Sequence, residues 1–301
     1  MSNLTIRQLR YFEALSRHRH FGRAAEACAI SQPALSIQMK ELEAMLGAPL
    51  IERGARQLRL SELGEALAVR ARDILRAVDE IEDLARASHG TFSGRLRIGV
   101  IPTVAPYLLP GLIQHLAAAY PELDAIPRET VTQTLVRDLL EGRLDLAIVA
   151  LPISEPTLQE APLFQEEFVL VRPEADAALP PPSAANLREM RLLLLEEGHC
   201  FRDQALSFCN LSNAPPRDLM EGSSLSTLVQ MVGVGIGVTL IPEMAVAVET
   251  ASAPVCVTRL EAPRPTRTLG MVWRKSSPLV EHLERIAEQV RLFGERREPL
   301  A

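Results

Sequence analysis

Cys200 and Cys209 stand nine positions apart in the run Gly198-His199-Cys200-Phe201-Arg202-Asp203-Gln204-Ala205-Leu206-Ser207-Phe208-Cys209. A thiol flanked by a histidine and an arginine, with a second thiol downstream, has the makings of a nucleophilic thiolate and a resolving partner. Nearby cations favour the thiolate, and a sulfenic acid on one cysteine condenses with another. The spacing sets a geometric condition. On one α-helix, nine residues at 1.5 Å rise put the Cα atoms roughly 13 Å apart, whereas a disulfide tolerates about 7 Å at most. An extended segment separates them further. A bond between these thiols therefore requires the segment to fold back or to refold. The competing reading of Cys200 is a small core residue, because the apolar run Leu192 to Leu195 leads into it through Glu196-Glu197-Gly198. Arg202 and a helix N-terminus would lower the thiol pKa, and the two glutamates would oppose them.

The other two cysteines, Cys28 and Cys256, read as structural: one lies in an alanine-rich helix, the other in the strand-like Pro254-Val255-Cys256-Val257-Thr258. No C-x-x-C pair occurs, so a zinc site is not expected; no metal and no cofactor are expected. The 301 residues are 47% hydrophobic and 23% charged, room for two or three domains. No stretch approaches the ~20 apolar residues of a membrane span, and Met1 to Arg7 lacks the apolar core of a secretion signal, so a cytoplasmic protein without membrane contact is expected. Stable disulfides are uncommon there, which leaves buried thiols or redox chemistry.

Charge is unevenly divided. Residues 1–60 hold nine Lys/Arg against five Glu, a net +4, and the remainder holds 23 basic against 33 acidic side chains, a net −10. A basic head on an acidic body suggests that only the head meets a polyanion. Within it, Leu4, Ile6, Leu9, Phe12, Ala14 and Leu15 recur at near-helical spacing. A short alanine-rich helix follows from Phe21 to Cys28. Ser31 then supplies an N-cap and Pro33 a tolerated first-turn proline for a helix running through Leu35, Met39, Leu42 and Leu46 to Gly47. Gln32, Ser36, Gln38 and Lys40 form its polar face, as in a recognition helix entering a major groove, although a helix pair alone also fits any small bundle. Residues 49–60 alternate around a Gly-containing turn like a β-hairpin wing, and Arg53 and Arg56 suit phosphate or minor-groove contact or, equally, solvated surface.

Phe21-Gly22-Arg23-Ala24-Ala25, Ser31-Gln32-Pro33-Ala34-Leu35-Ser36, Leu42-Glu43 and Leu50-Ile51-Glu52-Arg53 resemble the DNA-binding domain of LysR-type transcriptional regulators across residues 4–64. The resemblance implies major-groove contact by Gln32, Pro33 and Ser36, with Ser31 and Lys40 on the same helix, and minor-groove contact by Arg53. It further implies double-stranded DNA and RNA polymerase as partners.

After the wing, Leu67, Ile74 and Ile81 repeat every seven residues, with Ala71, Val78 and Ala85 four after each. This seam, on a rod of about 40 Å, needs a partner, either the chain's own regulatory domain or a second subunit. The resemblance favours the latter, so Leu67, Ala71, Ile74, Val78 and Ile81 are expected at a dimer interface, in a homodimer or homotetramer. Residues 90–94 break the helix. Beyond them, buried strands alternate with helices: strands at 96–100, 144–150, 168–171, 192–195, 238–241 and 269–273, helices at 106–120, 134–141 and 278–293. This predicts an α/β domain with a largely parallel sheet. By resemblance it is a two-lobed regulatory domain similar to periplasmic binding proteins. The expected organisation is thus α+β and multidomain: winged helix-turn-helix 1–60, linker helix 61–89, hinge 90–94 and regulatory domain 95–301, with lobe I at 95–166 and 268–301 and lobe II at 167–267.

Residues 195–209, together with Ile101-Pro102-Thr103-Val104 and Pro106-Tyr107-Leu108-Leu109-Pro110, resemble the peroxide-sensing members of that family. The resemblance implies that Cys200 is the peroxidatic thiol and Cys209 its resolver, with hydrogen peroxide held by Thr103, Thr132, His199, Arg202 and Asp203. Two other functions remain. A LysR-type regulator could bind a metabolite between its lobes, contacted by Thr103 and Ser224. A thiol peroxidase could use the same cysteines, but such an enzyme has no use for a DNA-reading head, and no Thr-x-x-x-Cys-Pro signature surrounds Cys200. A regulator, not an enzyme, is expected.

Overall fold

The computed structural model describes residues 4–52, 58–88, 92–187, 189–208 and 220–295. The chain separates into two compact units, Met1–Ala85 and Arg86–Ala301.

In the first unit, α1 (Ile6–His18) starts at a capping box in which Thr5 and Gln8 each accept the other's backbone N–H. The Nδ1 of His20 caps α2 (Phe21–Ala27). Ser31 caps α3 (Gln32–Leu46) through the N–H of Ala34, and Gly47 ends it at φ +71°, a left-handed conformation that suits glycine. The apolar stripes of the three helices meet in a core around Phe12, Leu15, Leu35 and Leu42, with Ala24 and Ala25 letting α2 approach closely. An antiparallel bridge joins Ile51 to Leu60 at the base of the wing, and Glu43 of α3 accepts the N–H groups of Leu50 and Ile51. The wing tip, with Arg53 and Arg56, lies outside the described residues.

Helix α4 (Glu62–Ser88) begins where Ser61 Oγ accepts the N–H of Gly64. A Cβ on Gly64 would sit 2.2 Å from the carbonyl oxygen of Leu50, so the close approach of helix and wing requires glycine there. The heptad seam is divided. Ala71 is fully buried in the head's own core and Leu67 packs against that core, whereas Ile74 and Ile81 stay exposed along with Leu84.

The second unit contains β1 (Gly94–Val100), α5 (Ala105–Ala119), β2 (Leu123–Glu129), α6 (Thr132–Leu140), β3 (Leu146–Leu151), β4 (Leu158–Pro173), α7 (Ala184–Leu187), β5 (Leu192–Leu195), α8 (Cys200–Phe208), β6 (Met220–Gly222), α9 (Leu225–Gly233), β7 (Val238–Pro242), α10 (Val246–Glu249), β8 (Val255–Arg259), β9 (Thr266–Arg274) and α11 (Val280–Glu295). Strand order is β2-β1-β3-β9-β4-β7-β5-β6, with β8 also on β4. The sheet is mixed and not largely parallel: β1 runs parallel to β2 and β3, and β5 parallel to β6 and β7, but the long β4 and β9 are antiparallel to their neighbours. These two strands carry the chain between two lobes, as β4 pairs with β9 up to Glu167 and with β7 from Phe168 onward. Two apolar cores result, one around Trp273, Ile98 and Leu283, the other around Phe168, Phe201 and Leu240. Strand β2 escaped expectation because it is an edge strand with an exposed face and a proline at Pro127, which blurs period-two alternation. Among the described residues no helix is long and apolar enough to cross a membrane.

Candidate peroxide-sensing site

Four buried leucines of β5 deliver the chain to the turn Glu196-Glu197-Gly198, where Gly198 takes φ +96°. That reversal sets Cys200 as the first residue of α8. A small cleft there is lined by Ile101, Pro102, Thr103, Val131, Thr132, His199, Cys200 and Phe201. The thiol is free and half-buried, and it faces residues brought in by the loops after β1 and β2, distant in sequence.

The space at Cys200 is closed to a water-sized molecule, so a ligand reaches the thiol only as the walls part, and the polar groups there are suited to a small hydroxylic one. Thr103 is almost fully buried, and its Oγ1 accepts a 2.7 Å hydrogen bond from Arg267 Nη1. One oxygen lone pair being so engaged, the hydroxyl hydrogen is left to donate elsewhere. Thr132 Oγ1 is buried and has no hydrogen-bond partner among the described residues, an arrangement that costs free energy unless a ligand or water satisfies it. His199 is buried, and that burial lowers its pKa, opposed by Glu196. Its imidazole is therefore neutral at pH 7 and offers both a donor and an acceptor.

The family resemblance implies Arg202 and Asp203 in this pocket as well. Neither lines the cleft. Arg202 Nη1 is held by the carbonyl of Leu195 at 3.0 Å and by Glu221 at 2.5 Å, fastening α8 to β5 and β6. Asp203 is exposed in the first turn of α8, where a carboxylate favours the helix dipole. The cation that reaches the cleft wall is Arg267 of β9. Its side chain is wholly buried, donates to Glu166 at 2.6 Å and to both Oγ1 and the carbonyl of Thr103, and stands 5.5 Å over the ring of Phe201. Phe201 also packs on Phe168 at 4.7 Å.

Cys209 lies outside the described residues. Within α8, eight helical steps place Phe208 roughly 12 Å from Cys200.

A second cleft, of about 120 Å³, opens between the lobes and shares Pro102, Thr103 and His199 with the first. Across it Tyr107 of α5 donates at 2.5 Å to Glu249 of α10, which also accepts the hydroxyl of Ser226. Burial and the bond to Glu249 push the Tyr107 phenol above its ordinary pKa. Ser224 spends its oxygen capping α9 through the N–H of Thr227. On the head, Gln32, Pro33 and Lys40 are exposed and Ser36 half-buried, with positions 32, 36 and 40 on one face of α3 while Leu35 and Met39 face the core.

Residues 6–65 match the bacterial regulatory helix-turn-helix protein family of lysR type, and residues 89–292 match the LysR substrate binding domain. The chain belongs to the LysR family. Among LysR-type relatives, the DNA-binding transcriptional dual regulator OxyR of Escherichia coli is 41% identical over 292 residues, covering 96% of this chain and 95% of that protein. A full-length cysteine-to-aspartate variant of OxyR from Pseudomonas aeruginosa superposes with a TM-score of 0.75 at 37% identity, covering 97% of this chain and 96% of that one. A cysteine-to-serine mutant of Corynebacterium glutamicum OxyR with H2O2 bound reaches 0.66 at 33% identity, with coverages of 97% and 93%. The LysR-type architecture accounts for both units: a DNA-reading head, and a two-lobed body.

Proposed function

We propose that this chain is a DNA-binding transcriptional regulator that senses hydrogen peroxide through Cys200 and Cys209. The observation that carries the reading is the placement of the Cys200 thiol, at the start of α8, in one cleft with Thr103, Thr132 and His199. The thiolate attacks one peroxide oxygen, the O–O bond breaks, and the departing hydroxide takes up a proton as water. The hydroxyls of Thr103 and Thr132 and the His199 imidazole hold the peroxide, while Arg267 fixes Thr103. The resulting sulfenic acid on Cys200 condenses with the Cys209 thiol, releasing water and forming the disulfide. Because α8 must unwind for this, oxidation extracts Phe201 from the second lobe's core and reshapes that lobe.

The functional organisation follows the sequence reading: a head over 1–60, a pairing helix over 61–89, a hinge at 90–94 and a regulatory domain over 95–301 divided at 166/167 and 267/268. Ser31, Gln32, Pro33, Ser36, Lys40, Arg53 and Arg56 read double-stranded DNA. Subunits pair through α4 into a homodimer or homotetramer, whose response to oxidation is passed to RNA polymerase in the cytoplasm. The interlobe cleft, at about 120 Å³, falls below the ~300–1,000 Å³ of ordinary small-molecule pockets, which disfavours a metabolite effector. The deciding experiment is DNA footprinting of Cys200→Ser with and without peroxide: the variant keeps one footprint, and a peroxide-dependent change in it would defeat the proposal.

A further inference from the structure

We infer that the interlobe cleft is the approach route to Cys200, and that Glu129 and Glu249 on its walls select neutral hydroperoxides against anionic ones. The inference rests on the reading of Cys200 as the peroxidatic thiol and adds what that thiol admits.

The two clefts share Pro102, Thr103 and His199, so a molecule passing through the interlobe cleft meets the groups that face Cys200. Its volume of about 120 Å³ corresponds to roughly four waters at ~30 Å³ each, enough for a hydroperoxide with a small substituent. Its polar lining consists of Thr103, Tyr107, His199, Ser223, Ser224 and Ser226 together with the carboxylates of Glu129 and Glu249, and includes no lysine or arginine. Glu249 is 9% exposed and receives two hydroxyl donors, Tyr107 and Ser226, the pattern of an acceptor-only carboxylate. Glu129, at the end of β2, is exposed. His199 adds no positive charge, since burial holds its imidazole neutral. Two guanidiniums touch lining residues from outside: Arg267 sits behind Thr103 and is matched by the buried Glu166, and Arg202 donates to the carbonyl of Leu195 and is matched by Glu221. An incoming peroxide therefore meets two carboxylates on the walls, Glu129 and Glu249, and no cation among the lining residues, so an anion is opposed where a neutral molecule is not.

The chemistry at sulfur is indifferent to this charge. With hydrogen peroxide the Cys200 thiolate forms an S–O bond as the O–O bond breaks, leaving hydroxide. With peroxymonosulfate, a monoanion at neutral pH, the same displacement leaves sulfate. Both give one sulfenic acid, so any discrimination beyond intrinsic reactivity arises on approach.

The test uses the full chain, mixing it with either peroxide, quenching with an alkylating reagent at set times and reading the Cys200 thiol by mass spectrometry. The quantity read is the rate with peroxymonosulfate divided by the rate with hydrogen peroxide, which cancels variant-wide changes in thiol reactivity. Glu129→Gln and Glu249→Gln should each raise this ratio about threefold, the scale for unit charges about 9 Å apart at an effective dielectric near 50. In the wild type, added inert salt should raise it as well. Should Glu249→Gln fail to fold, Glu129→Gln on its exposed strand end and the salt titration carry the test. A ratio unchanged or lowered by both removals of charge and by salt overturns the inference while leaving the sensor intact. A wild-type Cys200 inert to hydrogen peroxide overturns the sensor reading itself, and the inference with it.

Discussion

Arg267 grips Thr103 twice, donating from Nη1 to the Oγ1 at 2.7 Å and from Nη2 to the carbonyl oxygen at 3.1 Å. A guanidinium fork on both the side chain and the backbone of one residue fixes that residue's position and the direction of its remaining hydroxyl hydrogen. Glu166 accepts from the Nε edge of the same guanidinium, so strand β9, strand β4 and the loop after β1 are tied at one point beside the Cys200 cleft.

Thr103→Val should slow oxidation of Cys200 by peroxide about a hundredfold, the scale of losing one preorganised donor. It should also cost about 1–3 kcal/mol in stability, because Arg267 loses an acceptor inside the fold. Quenched-flow thiol alkylation and urea denaturation measure the two effects. An unaltered oxidation rate would remove Thr103 from the reaction.

Phe201 is 2% exposed, lodged between Phe168 and the guanidinium of Arg267. Phe201→Ala should destabilise the reduced protein by about 3–5 kcal/mol. On the proposed mechanism the oxidised protein, with α8 unwound, gives up that packing. The Cys200–Cys209 couple should therefore shift to a more negative reduction potential, about 60 mV if about 3 kcal/mol is confined to the reduced form. Equilibration against a glutathione buffer reads the potential, and no shift would mean that Phe201 stays buried after oxidation.

His199 carries a pKa below its ordinary 6.5 because burial disfavours the imidazolium, with Glu196 opposing. As pH falls below about 6.5 the unfolded chain takes up this proton before the folded one does, so the contribution to stability is full above that pH and is lost on acidification toward the folded pKa. His199→Gln should flatten this part of the stability curve below about pH 6.5. Thermal melts across that range measure it, and parallel curves for wild type and variant would show the shift to be absent.

If subunits pair through α4 as proposed, its divided seam separates folding from assembly. Ile81 is 65% exposed, whereas Ala71 is fully buried in the head. Ile81→Asp should leave the melting of the head unchanged and weaken subunit association by at least tenfold in sedimentation velocity. Ala71→Asp should unfold the head by burying an unpaired charge. An Ile81→Asp protein that sediments as wild type would place the interface elsewhere.

The head was legible because its signals are local. Caps at Ser31 and Gly47, the proline at Pro33 and apolar residues at helical spacing act within a few residues of the structure they specify. Cys200 was legible for the same reason: its neighbours in the chain prescribe a strand, a glycine turn and a helix start. The partners of that cysteine were not. Arg202, two positions away, looked like the activating cation, yet α8 turns it toward Glu221.

Sequence by itself determined a basic helix-turn-helix head, a long heptad-bearing helix, an α/β body and a cysteine pair too far apart to bond along one helix. Tertiary structure alone decided that Arg267, not Arg202, supports the cleft. In the chain, Arg264 and Arg267 are near-equivalent arginines beside a strand, but the crossing of β9 between the lobes buries the side chain of one completely and leaves that of the other 43% exposed. Which face of a strand becomes interior depends on the elements that cover it, and those come from residues about a hundred or more positions away, as with Glu166 and Thr103.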